Sequence, residues 1–164
     1  MGSREMKTLI AYSSKYGCTE KCVGTLAAKL SWEVDVVNLR GGKAVDLSGY
    51  DRVIIGGSIY MGRIQKQVTN LCEKNLDVLK GKKLGLFICC MAEGKEAEEE
   101  LNRVFPEDLL KAAAAKEYFG GEFDFKKMNP MYRLIIKKVA KTDKDVSNVL
   151  TDNINVFAQI MNNA

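Results

Sequence analysis

Apolar and polar positions along this chain fall alternately into short runs and helical stripes. Leu9-Ile10-Ala11-Tyr12, inside the segment Lys7 to Tyr12, is a continuous apolar run of the length of a buried strand. From Thr19 to Leu30, apolar Val23, Leu26, Ala27 and Leu30 recur at three and four, which predicts a helix with one inward face. Glu33 to Leu39 alternates in part, through Val34, Val36, Val37 and Leu39, and reads as a strand closed by Gly41-Gly42. Arg52-Val53-Ile54-Ile55-Gly56 is a third strand, followed by the loop Gly57 to Gly62. A helix is predicted from Ile64 to Leu79, with Val68, Leu71 and Cys72 on one face, and Lys83 to Cys90 is the fourth strand. Glu96 to Val104 and Leu109 to Ala114 read as helices parted by Pro106, and Lys116 to Phe123 as a last strand broken by Gly120-Gly121. Asn129-Pro130 opens a further helix, since proline at the first position needs no N–H. Thr142 and Asp145 have the spacing that starts a terminal helix with a stripe of Val146, Leu150, Ile154, Phe157 and Met161.

Strands alternating with helices in this rhythm imply an α/β fold, a parallel sheet covered on both faces. Five strands suggest a doubly wound sheet of order 2-1-3-4-5, with ligands at the carboxyl ends beside the switch point. The loops at those ends start at Ser13, Gly57 and Cys90.

At 164 residues the chain fits one domain with a real core. No run reaches the 18 or so apolar residues that cross a bilayer, and no leader pattern is visible, so the expectation is a cytoplasmic protein. There is no histidine, which removes Ser-His and Cys-His nucleophiles, histidine acid–base catalysis and His-ligated zinc. Of the five cysteines, Cys18 and Cys22 are four apart, while Cys89 and Cys90 are adjacent on a strand and so face opposite ways. Neither pair is C-x-x-C, so the expectation is buried small hydrophobes and no metal. Six basic residues and no acid lie between Phe125 and Thr142; without those six, the remaining 19 basic residues fall two short of the 21 acids. Charge confined to one segment argues against nucleic-acid binding, which spreads it and interleaves aromatics.

The turn Ser13-Ser14-Lys15-Tyr16-Gly17-Cys18-Thr19 carries the candidate chemistry. A strand delivers two serines to the sheet edge, Gly17 lets the backbone curl, and Thr19 stands where helix N–H groups are free. Such a turn suits a phosphate, the helix dipole adding roughly 0.3–1 kcal/mol. The bland alternative is a threonine that caps an ordinary strand–helix turn. The spacing is neither G-x-x-x-x-G-K-[ST] nor G-x-G-x-x-G, which disfavours triphosphates and dinucleotides. Tyr12, Ser14, Gly17 and Thr19 match aromatic-x-Ser-x-x-Gly-x-Thr, and here the sequence resembles the flavodoxin family. The resemblance implies a flavodoxin-like domain binding FMN, with Ser14, Lys15, Tyr16, Gly17, Cys18 and Thr19 around its phosphate. Ala11, Val23, Tyr16 and Cys18 depart from the commoner residues of that family. It further implies that Tyr60 stacks on the flavin amid Ser58, Ile59, Met61 and Gly62, and that Cys90, Met91 and Ala92, with Glu93 next to them, line the other side. The sequence motif assigns no acid–base role to Tyr60, Glu93 or the cysteines, so no catalytic acid or base is named from it.

Met128, Met131, Tyr132, Ile135 and Val139 share one face of a helical wheel, opposite Arg133, Lys137 and Lys141. The span Met128–Lys141 can lie on an anionic membrane or simply dock on the sheet. Tyr118-Phe119-Gly120-Gly121 followed by this stretch, together with Ile55-Gly56-Gly57-Ser58-Ile59, looks like the quinone-dependent protoporphyrinogen IX dehydrogenases. That likeness implies one domain, 1–164, with a basic amphipathic insertion at about 124–142, at the inner face of a membrane. It implies electron passage from a reduced substrate of heme biosynthesis through FMN to a quinone. The alternatives are a soluble flavodoxin-like electron carrier serving a redox protein partner, and a flavin-free interaction module.

Low-potential carriers place acids beside the flavin, whereas Tyr60 to Lys66 here contains Arg63 and Lys66 and no acid. One charge at about 8 Å and an effective dielectric near 20 is worth roughly 2 kcal/mol, on the order of 90 mV for one electron. The expected outcome of a potentiometric titration is a fully reduced couple above about −350 mV, a scale set by plant-type ferredoxins near −400 mV. A value well below that contradicts the electrostatic reading.

Overall fold

The computed structural model describes residues 6–42, 44–123, 130, 131, 134 and 146–164. In chain order the elements are β1 (Lys7–Ser13), α1 (Cys18–Lys29), β2 (Glu33–Asn38), β3 (Arg52–Ser58), α2 (Lys66–Lys74), α3 (Leu76–Lys80) and β4 (Lys83–Cys89). They continue as α4 (Gly94–Val104), α5 (Glu107–Ala112), β5 (Ala115–Tyr118), β6 (Gly120–Phe123), β7 (Val146–Val149) and α6 (Thr151–Asn163). Five strands form a parallel sheet in the order β2-β1-β3-β4-β5, and β6 pairs antiparallel with β7 in a separate ribbon.

Strand alternation divides the core in two. Leu9, Ala11, Val53, Ile55, Leu84, Leu86 and Ile88 face Val68, Leu71, Leu79, Leu101 and Leu109 of the helices α2 to α5. Ile10, Tyr12, Ile54, Phe87 and Cys89 face Cys22, Val23 and Leu26 of α1 and Ile154, Phe157 and Met161 of α6. Two glycines let this second layer close. A Cβ on Gly56 would lie 2.2 Å from the Phe87 ring, and one on Gly85 would lie 2.7 Å from Phe157. In the space so opened, Phe119 stacks on Phe87 at 4.7 Å and meets Phe157 edge-on at 5.3 Å.

The five-stranded doubly wound order is as the sequence pattern predicts; several element boundaries are not. The helix predicted from Ile64 to Leu79 is broken at Asn75, whose Nδ2 donates to the Leu71 carbonyl and ends α2. The strand predicted from Lys116 to Phe123 divides at Gly120, whose φ of +81° turns the chain out of the parallel sheet. Its second half, β6, takes β7 as partner, so Val146–Val149 is strand rather than helix, and α6 starts at Thr151. The apolar stripe survives only as Ile154, Phe157 and Met161. The span Met128–Lys141 and the Thr142–Asp145 helix start lie outside the described residues, save Pro130, Met131 and Leu134.

Phe157 is 1% exposed and touches both other rings. Phe157→Ala should lower unfolding stability by about 3–5 kcal/mol, the usual loss for a buried aromatic. Chemical denaturation checks this, and a loss under about 1 kcal/mol shows that the ring trio is not a core element.

Candidate functional site

Three loops leave the carboxyl end of the sheet side by side. The first follows β1. Its serine at position 14 accepts a hydrogen bond on Oγ from the Gly17 N–H at 3.0 Å, which folds the turn on itself while leaving the hydroxyl proton to donate. Gly17 holds φ +92° at the N-cap of α1, a left-handed conformation suited to glycine. No side chain caps this helix, so the amides of its first turn keep their donor capacity. Thr19, in that first turn, is 0% exposed, and its Oγ1 has no hydrogen-bond partner. A buried, unpaired hydroxyl beside free helix amides costs stability, roughly 1–3 kcal/mol, and fits a site whose acceptor is a ligand.

The second loop follows β3. Gln65 grips Ser58 twice: the Ser58 N–H donates to Oε1 at 3.1 Å and Nε2 donates to Ser58 Oγ at 2.7 Å. The Ile59 N–H donates to the Cys89 carbonyl, tying the loop to the end of β4. Tyr60 and Arg63 exchange backbone hydrogen bonds at 2.8 and 3.0 Å around Met61 (φ +54°) and Gly62 (φ +75°). Both central residues being left-handed makes this the tight turn otherwise used in hairpins. It stands Tyr60 beside the first loop, with its ring 6.1 Å from that of Tyr16. The Lys15 ammonium lies 3.5 Å above the Tyr60 ring centroid. At an exposed lysine this contact is worth about 0.5–1 kcal/mol, so a flat ligand can displace it cheaply.

The third loop follows β4 and is crossed by β6. The Cys90 N–H donates to the Gly120 carbonyl at 2.9 Å. Gly121 runs so close that a Cβ would lie 2.7 Å from Met91 Sδ and 2.9 Å from the Cys90 carbonyl. Glycine is therefore required for β6 to form this wall, where Glu122 accepts from Lys21 at 2.8 Å.

These loops border one cleft, whose free volume is about 60 Å³ with Lys15 seated over the Tyr60 ring. Ser14, Lys15, Tyr16, Cys18, Thr19, Ser58, Ile59, Tyr60, Cys90 and Met91 line it, and Gly17 shapes the turn beneath. Three predicted residues stand apart. Met61, 59% exposed, lines an adjoining hollow with Lys15, Arg63 and Lys66; Gly62 lies in the next hollow along; Ala92 packs against the α2–α5 core. Glu93, set against Asn148, is outside the cleft too. Sequence reasoning missed Cys89, Gly121 and Glu122, which also line the cleft. The one local signal for the last two was the Gly120-Gly121 pair.

Cys18 is drawn well below the usual thiol range by hydrogen bonds from Cys22 and then Cys89, with Lys21 also contributing. Cys22, as its donor, is pushed up. The first residue of a helix is where a thiolate is best stabilised.

The flavodoxin domain profile matches residues 9–149. A curated relative, protoporphyrinogen IX dehydrogenase [quinone] of Leishmania major, is 30% identical over 79 residues. That match takes in 46% of this chain and 34% of the relative, so the chain spans about a third of that protein's length. Among solved structures, oxidised flavodoxin 2 from Bacillus cereus superposes with a TM-score of 0.61 at 21% identity, over 94% of this chain and 97% of that one. The rubredoxin oxygen:oxidoreductase of Desulfovibrio gigas gives 0.55 at 15%, over 94% of this chain but 36% of that one.

Thr19→Val replaces the orphaned hydroxyl with a methyl group of the same shape. In ligand-free protein it should leave stability unchanged or raise it, by up to about 1–3 kcal/mol. Urea unfolding reads this out; a marked loss would mean that the hydroxyl is satisfied inside the protein.

Proposed function

The chain belongs to the flavodoxin domain family, and on that premise we propose that it is an FMN enzyme passing electrons from a reduced substrate of the protoporphyrinogen type to a quinone. The observation that carries cofactor binding is Thr19, buried with no partner for Oγ1 beside an uncapped helix start. The residues present fit FMN. Thr19, the Ser14 hydroxyl and the first α1 amides would hold the phosphate, and Tyr60 and the Cys90-Met91 wall would bind the flat ring. Bound there, FMN supplies acceptance of hydride from the donor and release of electrons to the quinone.

What the protein's own residues add is orientation and charge. Gln65 fixes Ser58, and the Tyr60–Arg63 turn fixes Tyr60, so the ring's seat is rigid on one side. Lys15, which covers the Tyr60 face, would have to give it up to a bound ring. The hollow outside Tyr60 is lined by Lys15, Arg63 and Lys66 and by no acid. That rim supports an enzyme over a low-potential carrier, because it attracts an anionic, carboxylate-bearing donor and favours a reduced, anionic flavin. We place the protein in the cytoplasm, at the inner face of the membrane. Among the described residues no helix is long and apolar enough to cross a bilayer. Met131 and Leu134 of the basic segment are 76% and 56% exposed, which suits shallow contact with anionic lipid.

The purified chain should take up one FMN, and Thr19→Val should weaken it about 10- to 150-fold, the worth of one hydrogen bond to a charged group. Anaerobic protoporphyrinogen should bleach the bound flavin and a soluble quinone restore its colour. Binding to anionic vesicles should fall with salt. Bleaching only by a ferredoxin-type partner, without vesicle binding, would favour the electron carrier; a chain that stays colourless with added FMN would favour an interaction module.

A further inference from the structure

Three thiols meet beneath the phosphate turn, and the proposed electron transfer uses none of them. Cys18 is the first residue of α1, Cys22 lies one turn on, and Cys89 ends β4. Their Sγ atoms all lie within 4.8 Å of one another, the sole such group of three among the described residues. At 8%, 0% and 2% exposure they pack among Tyr12, Phe87 and Phe119, with Cys18 and Cys89 also bordering the cleft. The other two cysteines, Cys72 and Cys90, belong to the opposite core layer and stand apart from the trio.

The spacing follows from the fold. Residues four apart on α1 share a face, and the last residue of β4 rises to meet that face because strand alternation turns Cys89, not Cys90, toward α1. The donor set is all sulfur, which selects soft ions over magnesium or calcium. Sulfurs bound at about 2.3 Å around one centre stand roughly 3.8–4.0 Å apart, so closing the trio needs shifts below about 1 Å. Thiolates buried without compensation are costly; a cation among them supplies the compensation, and Lys21 and the α1 amide dipoles add to it.

We propose that Cys18, Cys22 and Cys89 form a three-thiolate site for one thiophilic d10 ion, with copper(I) the preferred member. Three sulfurs complete a trigonal copper(I) site but leave zinc(II) one donor short of its tetrahedron. Each thiol that binds releases its proton to solvent as an S–metal bond replaces S–H, and the oxidation state of the ion does not change.

The test is an anaerobic titration of the reduced, flavin-free full chain with copper(I) against a chromophoric chelator, and with zinc(II) against its own. One copper per chain should be retained, with a thiolate-to-copper band in the near ultraviolet. X-ray absorption of the loaded chain should show three sulfurs and no nitrogen or oxygen. Cys22→Ser and Cys89→Ala should each lower copper affinity more than about 100-fold, beyond the 10- to 100-fold typical of losing a mere supporting group. Cys72→Ala should leave it unchanged. No copper held against the chelator, a shell of fewer sulfurs, zinc held more tightly than copper, or full retention in Cys22→Ser would each overturn the assignment. X-ray absorption on the unmodified chain decides the matter even where a variant fails to fold. Because every readout is taken without FMN, failure here is distinct from failure of the flavin reading.

Discussion

Everything at the carboxyl end of this sheet depends on the parallel register of three strands. Ser13 stands opposite Gly57, and Ser58 opposite Cys89, so β1, β3 and β4 stop level with one another. Parallel pairing forces each strand to return through a helix, and so presents three loops, each leading into a helix, at the same edge of the sheet. A cleft forms there because no strand continues past its neighbours to fill it. The Ile59 N–H to Cys89 carbonyl bond extends the ladder by one rung and stops the second and third loops from separating. A slip of one residue would turn Ile10 and Tyr12 to the other layer and move the serine turn off the site.

The third wall is built differently. It comes from β6, which leaves the sheet after β5 and runs across the β4 loop with β7 as its partner. Two glycines make that crossing possible for distinct reasons. Gly120 has a left-handed backbone and lies against the Asn148 carbonyl, whereas Gly121 needs the absence of a side chain because Met91 and Cys90 occupy that volume. The Leu150 N–H donates to the Phe119 carbonyl, so the start of α6 is tied to the same crossing. The wall of the cleft and the aromatic trio under α6 are therefore parts of one chain excursion. A change in either loads the other.

Most of the sheet was legible in the sequence because buried parallel strands are continuous apolar runs and the helices between them carry a 3.6-residue stripe. Leu9 to Tyr12 and Arg52 to Gly56 are examples. The place of the serine turn between β1 and α1 was legible because its signal is local, with every residue within seven positions. What escaped depends on long-range partners. Val146 to Val149 has the apolar spacing of a helix start, and only the presence of β6 makes it a strand. Glu122 reaches the cleft through the turn at Gly120, some hundred positions from the Lys21 with which it pairs. Cys18 and Cys22 look like ordinary buried positions until Cys89 is set beside them, and Ala92 looks like part of the wall until the loop carries it past the cleft and down onto the other core layer.

The same alternation that builds the core decides what lies under the phosphate turn. Cys89 and Cys90 are neighbours in sequence, yet the first joins the α1 layer and the second the α2–α5 layer. Cys18 and Thr19 are likewise adjacent, and both border the cleft, but the thiol also packs into the α1 layer beside Cys89 of β4. One turn of helix thus has a soft sulfur cluster below and hydrogen-bond donors for an anion above. Both faces draw on the same amide dipoles, and a displacement of Cys18 moves the Thr19 backbone with it because one peptide unit joins them. Packing and ligand binding are not separable at this point of the fold. The contacts that seat Cys18 beside Cys22 and Cys89 thereby help to set where Thr19 presents its hydroxyl.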